Sequence, residues 1–299
     1  MKTPSNTSTK RIGSLLLLLL CWACASNSVT AQSVFSKNIY IANPARINPA
    51  YMGSQGQFFL GFQSSIIGEN QFDLPTYSSI NTHYALRDNL GIGANFLSES
   101  QGPLSITSAD GGASYTSAFG EDHSISFGMT LGFFRSTLNG DVFTANPLVN
   151  PDDPLLAEDF LDESYMKMGA GIVYRYKNLE LGIGAPYLFR GGQRFNEAAN
   201  ALLTYRLHVE AAKLRFSPSV FYDLRQDEPN IFDLNVLSEW NDIIGLLIGY
   251  RSNESINAGL YINTGFVQVG YNYNSALSNE VQGINDGNHE LLVAMRLTK

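Results

Sequence analysis

Past its first thirty or so residues this chain has no cysteine, since Cys21 and Cys24 both fall in an N-terminal apolar stretch. Once that stretch is removed, disulfides, thiolate metal sites and cysteine nucleophiles are excluded together. Long apolar runs are missing as well. No later segment offers the ~18 uninterrupted apolar residues of a spanning helix, and mean hydropathy sits near zero at −0.07. Charged residues make up only 15% of the chain and lean acidic. The first 31 residues hold three of the 19 basic residues and none of the 27 acidic ones, which leaves −11 for the remainder. An acidic chain with no Lys/Arg run interleaved with aromatics is not built to bind nucleic acid.

Reactive constellations are equally scarce. The histidines, His83, His123, His208 and His289, are scattered with no zinc-like spacing. In Asp122-His123-Ser124 the His and Ser point to opposite faces of a strand and cannot cooperate. Gly91-Ile92-Gly93 and Gly182-Ile183-Gly184 lack the third glycine and the helix of a phosphate loop. The expectation is a protein without cofactor, metal or catalytic residues.

The N-terminus directs the chain out of the cytoplasm. Lys2, Lys10 and Arg11 form a basic region, Ile12–Ala23 an apolar one too short to span, and Val29-Thr30-Ala31 a small-residue cleavage site. Residues 1–31 therefore read as a signal peptide, with Gln32 the first mature residue. Cys24, following Ala23, also suggests a lipoprotein signal, but Cys21 stands where that signal wants an aliphatic residue.

The rest is a ladder of about fourteen segments of roughly ten residues, the length at which a tilted strand crosses a bilayer. They are expected near 57–65, 76–86, 90–98, 105–119, 123–135, 165–176, 179–189, 201–210, 213–225, 230–240, 243–251, 255–262, 266–274 and 288–299. Tight connections such as Arg87-Asp88-Asn89, Lys177-Asn178 and Asn241-Asp242 alternate with long ones, notably Ser136–Ser164, Arg190–Asn200 and Ser275–Gly287. Short periplasmic turns facing longer outer loops are the pattern of an antiparallel outer-membrane β-barrel in a Gram-negative bacterium, with lipid around it. A soluble β-sandwich is the competing fold, and it has no reason to sort its loops in this way.

Side chains alternate as a two-faced wall requires. Val267, Val269, Tyr271 and Tyr273 share one face, with Phe266, Gln268, Gly270 and Asn272 on the other. Leu291, Val293, Met295 and Leu297 likewise oppose Leu292, Ala294, Arg296 and Thr298, and 15 tyrosines and 18 phenylalanines supply interfacial girdles. Recurrent strand glycines, Gly91, Gly93, Gly128, Gly132, Gly169, Gly171, Gly182 and Gly184, are expected to relieve crowding on the inner wall and permit curvature.

Between signal and ladder lies Asn43-Pro44-Ala45-Arg46-Ile47-Asn48-Pro49-Ala50-Tyr51-Met52-Gly53. Each proline pushes its predecessor to extended geometry and offers no donor, so helix is excluded. The residues allow a compact turn segment at the periplasmic mouth or inside the lumen, and equally a rigid linker. Residues 32–56 are accordingly a periplasmic or plug segment, and 57–299 the barrel.

This stretch resembles the N-terminal signature of the PorP/SprF family, outer-membrane proteins of the type IX secretion system of Bacteroidetes. The signature residues are Asn43, Pro44, Asn48, Pro49, Ala50, Tyr51 and Gly53. Phe58-Phe59-Leu60-Gly61-Phe62, Leu90–Phe96, Val269–Tyr273 and Gly287-Asn288-His289-Glu290-Leu291 are similar to later family strands, in order and with family-like spacing. Arg46 stands where relatives often carry an aliphatic residue, and the chain ends without the usual aromatic. The resemblance implies a non-enzymatic role in protein transport or gliding motility, with type IX components and a secreted adhesin or surface protein as partners. The alternative is an outer-membrane channel or hydrophobic-solute transporter, for which more charged pairs on the inner face are expected than the sequence suggests. The acidic stretch Leu138–Ser164 is expected outside, where it could meet calcium or a basic partner.

Overall fold

A computed structural model describes residues 38–67, 76–101, 104–138, 163–190, 199–224, 230–252, 255–276 and 287–297. The expected signal peptide, most of the acidic stretch Leu138–Ser164 and the final two residues lie outside the described residues.

Fifteen strand segments are formed: β1 (Phe58–Ile67), β2 (Thr76–Arg87), β3 (Leu90–Gln101), β4 (Leu104–Phe119), β5 (His123–Leu138), β6 (Glu163–Tyr176), β7 (Leu179–Arg190), β8 (Ala199–Tyr205), β9 (Leu207–Val209), β10 (Leu214–Leu224), β11 (Ile231–Trp240), β12 (Ile244–Arg251), β13 (Ser255–Asn263), β14 (Val267–Ala276) and β15 (Asn288–Leu297). Every pairing is antiparallel, and all but β1–β15 and β8–β10 join neighbours in sequence. Two contacts turn the sheet into a ring: β1 with β15, from Phe58↔Leu297 to Ile67↔Asn288, and β10 with β11. β8 and β9 both pair with β10 and are two parts of one stave, so the wall has fourteen staves. The ladder read from the sequence is the observed one, with boundaries moved by a few residues.

Proline explains two of the irregularities in this wall, though not the register shift between Ala85 and Arg87 in the β2–β3 pairing. Pro186 sits where the β6–β7 register slips between Met168 and Ala170. Pro218 faces Tyr205 in the β8–β10 register, where pairing breaks off at Thr204↔Ser219 and resumes at Leu207↔Phe216. A residue with no N–H cannot complete a ladder, so a bulge or an interruption is what the sheet can offer there.

The two faces differ as a lipid-embedded cylinder demands. Along β12 burial alternates without exception, with Ile244, Leu246, Ile248 and Tyr250 exposed and Gly245, Leu247, Gly249 and Arg251 buried. Exposed apolar side chains recur on every long strand, whereas the buried set is rich in Ser, Asn, Gln, Asp and Glu. The arrangement is inverted relative to a soluble protein. Aromatic clusters mark both ends of the outward face. Near the short turns His123 stacks on Tyr176 at 4.5 Å and hydrogen-bonds the Tyr174 hydroxyl at 2.8 Å. Near the long loops His289 hydrogen-bonds the Tyr271 hydroxyl at 2.7 Å and lies 5.0 Å from Tyr273.

This topology sets the cost of a charge on the outer face by its depth. Ile248 is 67% exposed in the middle of β12, while Ile243 lies in the turn before it. Ile248→Arg should destabilise the folded barrel by ~2–4 kcal/mol and Ile243→Arg by at most ~1 kcal/mol, read from denaturant titrations in lipid bilayers.

Candidate functional site

The interior of the wall is occupied by the Asn-Pro segment. Asn48 is extended, with φ −150° and ψ 112°, and Asn43, with φ −141° and ψ 76°, is likewise kept out of the helical region by the proline that follows it. Pro44 and Pro49 then open single turns of 3-10 helix, Pro44–Arg46 and Pro49–Tyr51. Proline is well suited to this position because its missing N–H would have no partner in the turn. Asn48 caps the second turn, its Oδ1 accepting from the Ala50 N–H at 2.9 Å. Gly53, with φ of +75°, ends the segment in a conformation that L side chains rarely adopt.

Asn48 also anchors the segment to the wall. Its Nδ2 donates to the carbonyl oxygens of Ile172 (3.1 Å) and Ile183 (3.0 Å), which face each other across β6 and β7. Such an approach needs a wall without side chains. A Cβ on Gly171 would stand 1.9 Å from Asn48 Oδ1, and one on Gly128 would meet the Ala50 nitrogen at 2.3 Å. Gly91, Gly182 and Gly184 lie similarly close to Met52, Tyr51 and Ile47. The glycines read as curvature devices therefore also form a track against which this segment is seated. The sequence shows both glycines and prolines but not that they meet, because contact depends on strand register.

Polar contacts tie the segment to most of the ring. Ser114 of β4 donates to the Met52 carbonyl at 2.6 Å, and Asn200 of β8 to that of Ile47 at 3.0 Å. The Gly53 N–H reaches His83 Nδ1 at 3.3 Å while His83 Nε2 meets Gln55 at 3.1 Å, and the ring stacks on Phe59 at 4.7 Å. Arg296 donates to the Ala42 carbonyl at 3.1 Å. The Tyr40 hydroxyl donates to Asp233 at 3.1 Å and accepts from Asn235 at 2.8 Å. Tyr51, Ala50, Asn48 and Tyr40 are each 2% exposed or less, so the segment is core in every physical sense. Burial raises the hydroxyl pKa of Tyr40 and Tyr51. It also draws the Arg46 guanidinium down to about 10, which leaves it charged at neutral pH.

Charged pairs line this interior in greater number than the sequence led one to expect. Arg251 grips Asp233 with two hydrogen bonds of 2.7 Å, and Lys167 pairs with Asp110 at 2.6 Å. Glu180 is held between Arg175 (2.6 Å) and Arg206 (2.9 Å), and Arg215 meets Glu239 at 2.8 Å. Arg175 and Glu180 face each other beside the tight β6–β7 turn, whereas Lys167 and Asp110 meet only once their strands are in register. From Asn43 a directed chain runs to Asn81 (2.9 Å), then Asn95, then Asp110 (2.7 Å) and its Lys167. On the long-loop side of the segment a cavity of about 130 Å³ remains, lined by Arg46, Tyr77, Asp110, Lys167, Tyr187 and Arg251.

The signature residues do not form one cluster. Asn43, Pro44, Asn48, Pro49, Ala50, Tyr51 and Gly53 make up the lumenal segment, whereas His289 and Glu290 lie on opposite faces of β15. His289 belongs to the outer aromatic cluster. Glu290 is fully buried inside and accepts from Asn288 at 3.2 Å. Among the described residues no group of three metal ligands comes together.

Comparisons with known proteins can be set against this geometry. The profile of the family described as "Type IX secretion system membrane protein PorP/SprF" matches residues 29–295. A comparison with curated proteins finds no match. Among solved structures, the CymD monoaromatic hydrocarbon channel is similar at a TM-score of 0.51 with 10% identity, covering 91% of this chain and 95% of that one. A deltaS2S3 mutant of the TodX monoaromatic hydrocarbon channel gives 0.50 with 11% identity, covering 87% and 93%. The outer membrane protein Omp33 of Acinetobacter baumannii gives 0.49 with 9% identity, covering 82% and 100%. At these identities the likeness is one of fold, that of an outer-membrane β-barrel.

A lumen filled in this way should not conduct. The purified full-length protein in planar bilayers is expected to show no steady conductance, and a variant lacking residues 38–53 to show open-channel current. Equal currents from both would contradict the seating described here.

Proposed function

The chain belongs to the PorP/SprF family of type IX secretion system membrane proteins, and from that premise we propose that it is a non-conducting outer-membrane partner for one secreted adhesin or surface protein. It assists export of that protein or holds it at the cell surface, in secretion or gliding. The observation that carries this reading is the buried Asn43–Gly53 segment, which fills the place where a channel would keep its path. A closed barrel offers two faces, a periplasmic rim of short turns and an outer rim of long loops. The first suits type IX components and the second a surface-exposed partner. Among the described residues the interior brings together no constellation that points to catalysis: Asp110, Glu180, Asp233 and Glu239 are each ion-paired, and His83 is engaged by Gly53 and Gln55.

The channel reading has one observation in its favour, the charged pairs along the inner wall. Those pairs have another use here. Arg175 lies 5.5 Å from the Tyr51 ring, and Asp233 accepts from Tyr40, so they help to fix the lumenal segment.

A clean chromosomal deletion should remove one large protein from the cell-surface fraction, leave bulk type IX secretion intact, and be reversed by the wild-type gene. An unchanged surface proteome combined with impaired uptake of an apolar solute would replace this reading with the transporter.

A further inference from the structure

The wall is least regular at its outward face near Pro218. There a cavity of about 330 Å³ is lined by Leu203, Tyr205, Pro218, Val220, Leu234 and Val236. Except at Pro218 itself, strand alternation gives this face the exposed, apolar character of the membrane side, with Leu203, Tyr205 and Val236 each at least 40% exposed. The cavity coincides with the interruption of the β8–β10 ladder. The Arg206 N–H donates to Asn178 at 2.9 Å, toward β7, so the backbone polar groups of Tyr205 are directed the other way, toward β10. They meet Pro218, which has no amide hydrogen to give to the Tyr205 carbonyl.

Within a bilayer, water is not on hand to satisfy such groups, and leaving them unpaired is costly. The missing donor must come from whatever occupies the cavity. The face is bathed in lipid, which fixes the occupant's apolar part as an acyl chain. Its polar part follows from the unmet carbonyl, which calls for an N–H or O–H donor near the root of that chain. Leu179, also in the lining, directly follows the Lys177-Asn178 turn, so the cavity opens toward the short-turn, periplasmic leaflet. We propose that the cavity at Pro218 is a lipid site selective for an acyl chain bearing an amide N–H or a hydroxyl beside its head group, over a diester lipid with no such donor. The N–H would serve the Tyr205 carbonyl, and Leu203, Val220, Leu234 and Val236 would receive the chain.

The test uses the full-length protein in nanodiscs containing equal amounts of ceramide phosphoethanolamine and diacyl phosphatidylethanolamine of matched chain length, with retained lipid counted by native mass spectrometry. The wild type should retain the ceramide lipid at least fivefold over the diester. Pro218→Val restores an N–H to the ladder and should bring that ratio to about one, with assembly checked by heat-modifiable gel migration. Val236→Trp, which fills the cavity without altering the backbone, should reduce retention of both lipids. A 3-hydroxyacyl lipid in place of the ceramide distinguishes hydroxyl from amide as the donor. Equal retention of the two lipids by the wild type, or selectivity unchanged in Pro218→Val, would overturn the proposal.

Discussion

A bilayer core offers no water to backbone N–H and C=O groups, so the sheet itself must pair nearly all of them, and this constraint governs the fold of the chain. A sheet meets it only by closing, which here depends on the β1–β15 and β10–β11 seams. Closure creates an inside, and the inside of a fourteen-stave wall is too wide for its own short Ser, Asn and Gly side chains to fill. The Asn-Pro segment takes up that space. Its prolines open single 3-10 turns, short helix that the Asn-Pro steps were expected to exclude, its asparagines supply hydrogen bonds to the wall, and the glycines opposite let backbone meet backbone.

The lumenal segment and the wall specify one another. Asn48 bonds to the carbonyls of Ile172 and Ile183, and only a strand pair carrying Gly171 and Gly184 leaves room for it. Ion pairs on the surrounding strands extend this fit. Asp233 accepts from both Arg251 and Tyr40, so the charge pair is part of the seat and not of an ion path. A buried, hydrogen-bonded pair of this kind is costly to disrupt on one side, which gives the segment a defined place among many polar neighbours.

Much of this was legible in the sequence. Period-two alternation, turn residues and loop sorting located the strands to within a few residues, because membrane-facing strands must be apolar on one side along their entire length. The family resemblance was carried by the Asn-Pro motif, and the profile match over residues 29–295 shows it. Other features could not be read. Asp110 and Lys167 are 57 residues apart in number and become partners only once β4, β5 and β6 are in register. The alternative of linker or lumenal segment stayed open for the same reason, since the residues that receive Asn43 and Asn48 lie on three different strands, β2, β6 and β7. Pro218 is visible as a proline in a strand, but its consequence at Tyr205 requires knowing which way the carbonyl points.

The central claim, that residues 43–53 sit inside a closed, lipid-embedded barrel, is tested most directly by cross-linking in intact membranes. The chain has no cysteine after Cys24, so Asn43→Cys with Asn81→Cys introduces the one thiol pair beyond that point, where the side chains now hydrogen-bond at 2.9 Å. Under mild oxidation this pair should form a disulfide in the outer-membrane fraction, and Asn43→Cys alone should resist a membrane-impermeant maleimide until the barrel is denatured. Rapid labelling of Asn43→Cys in the folded protein, with no disulfide to position 81, would contradict the account.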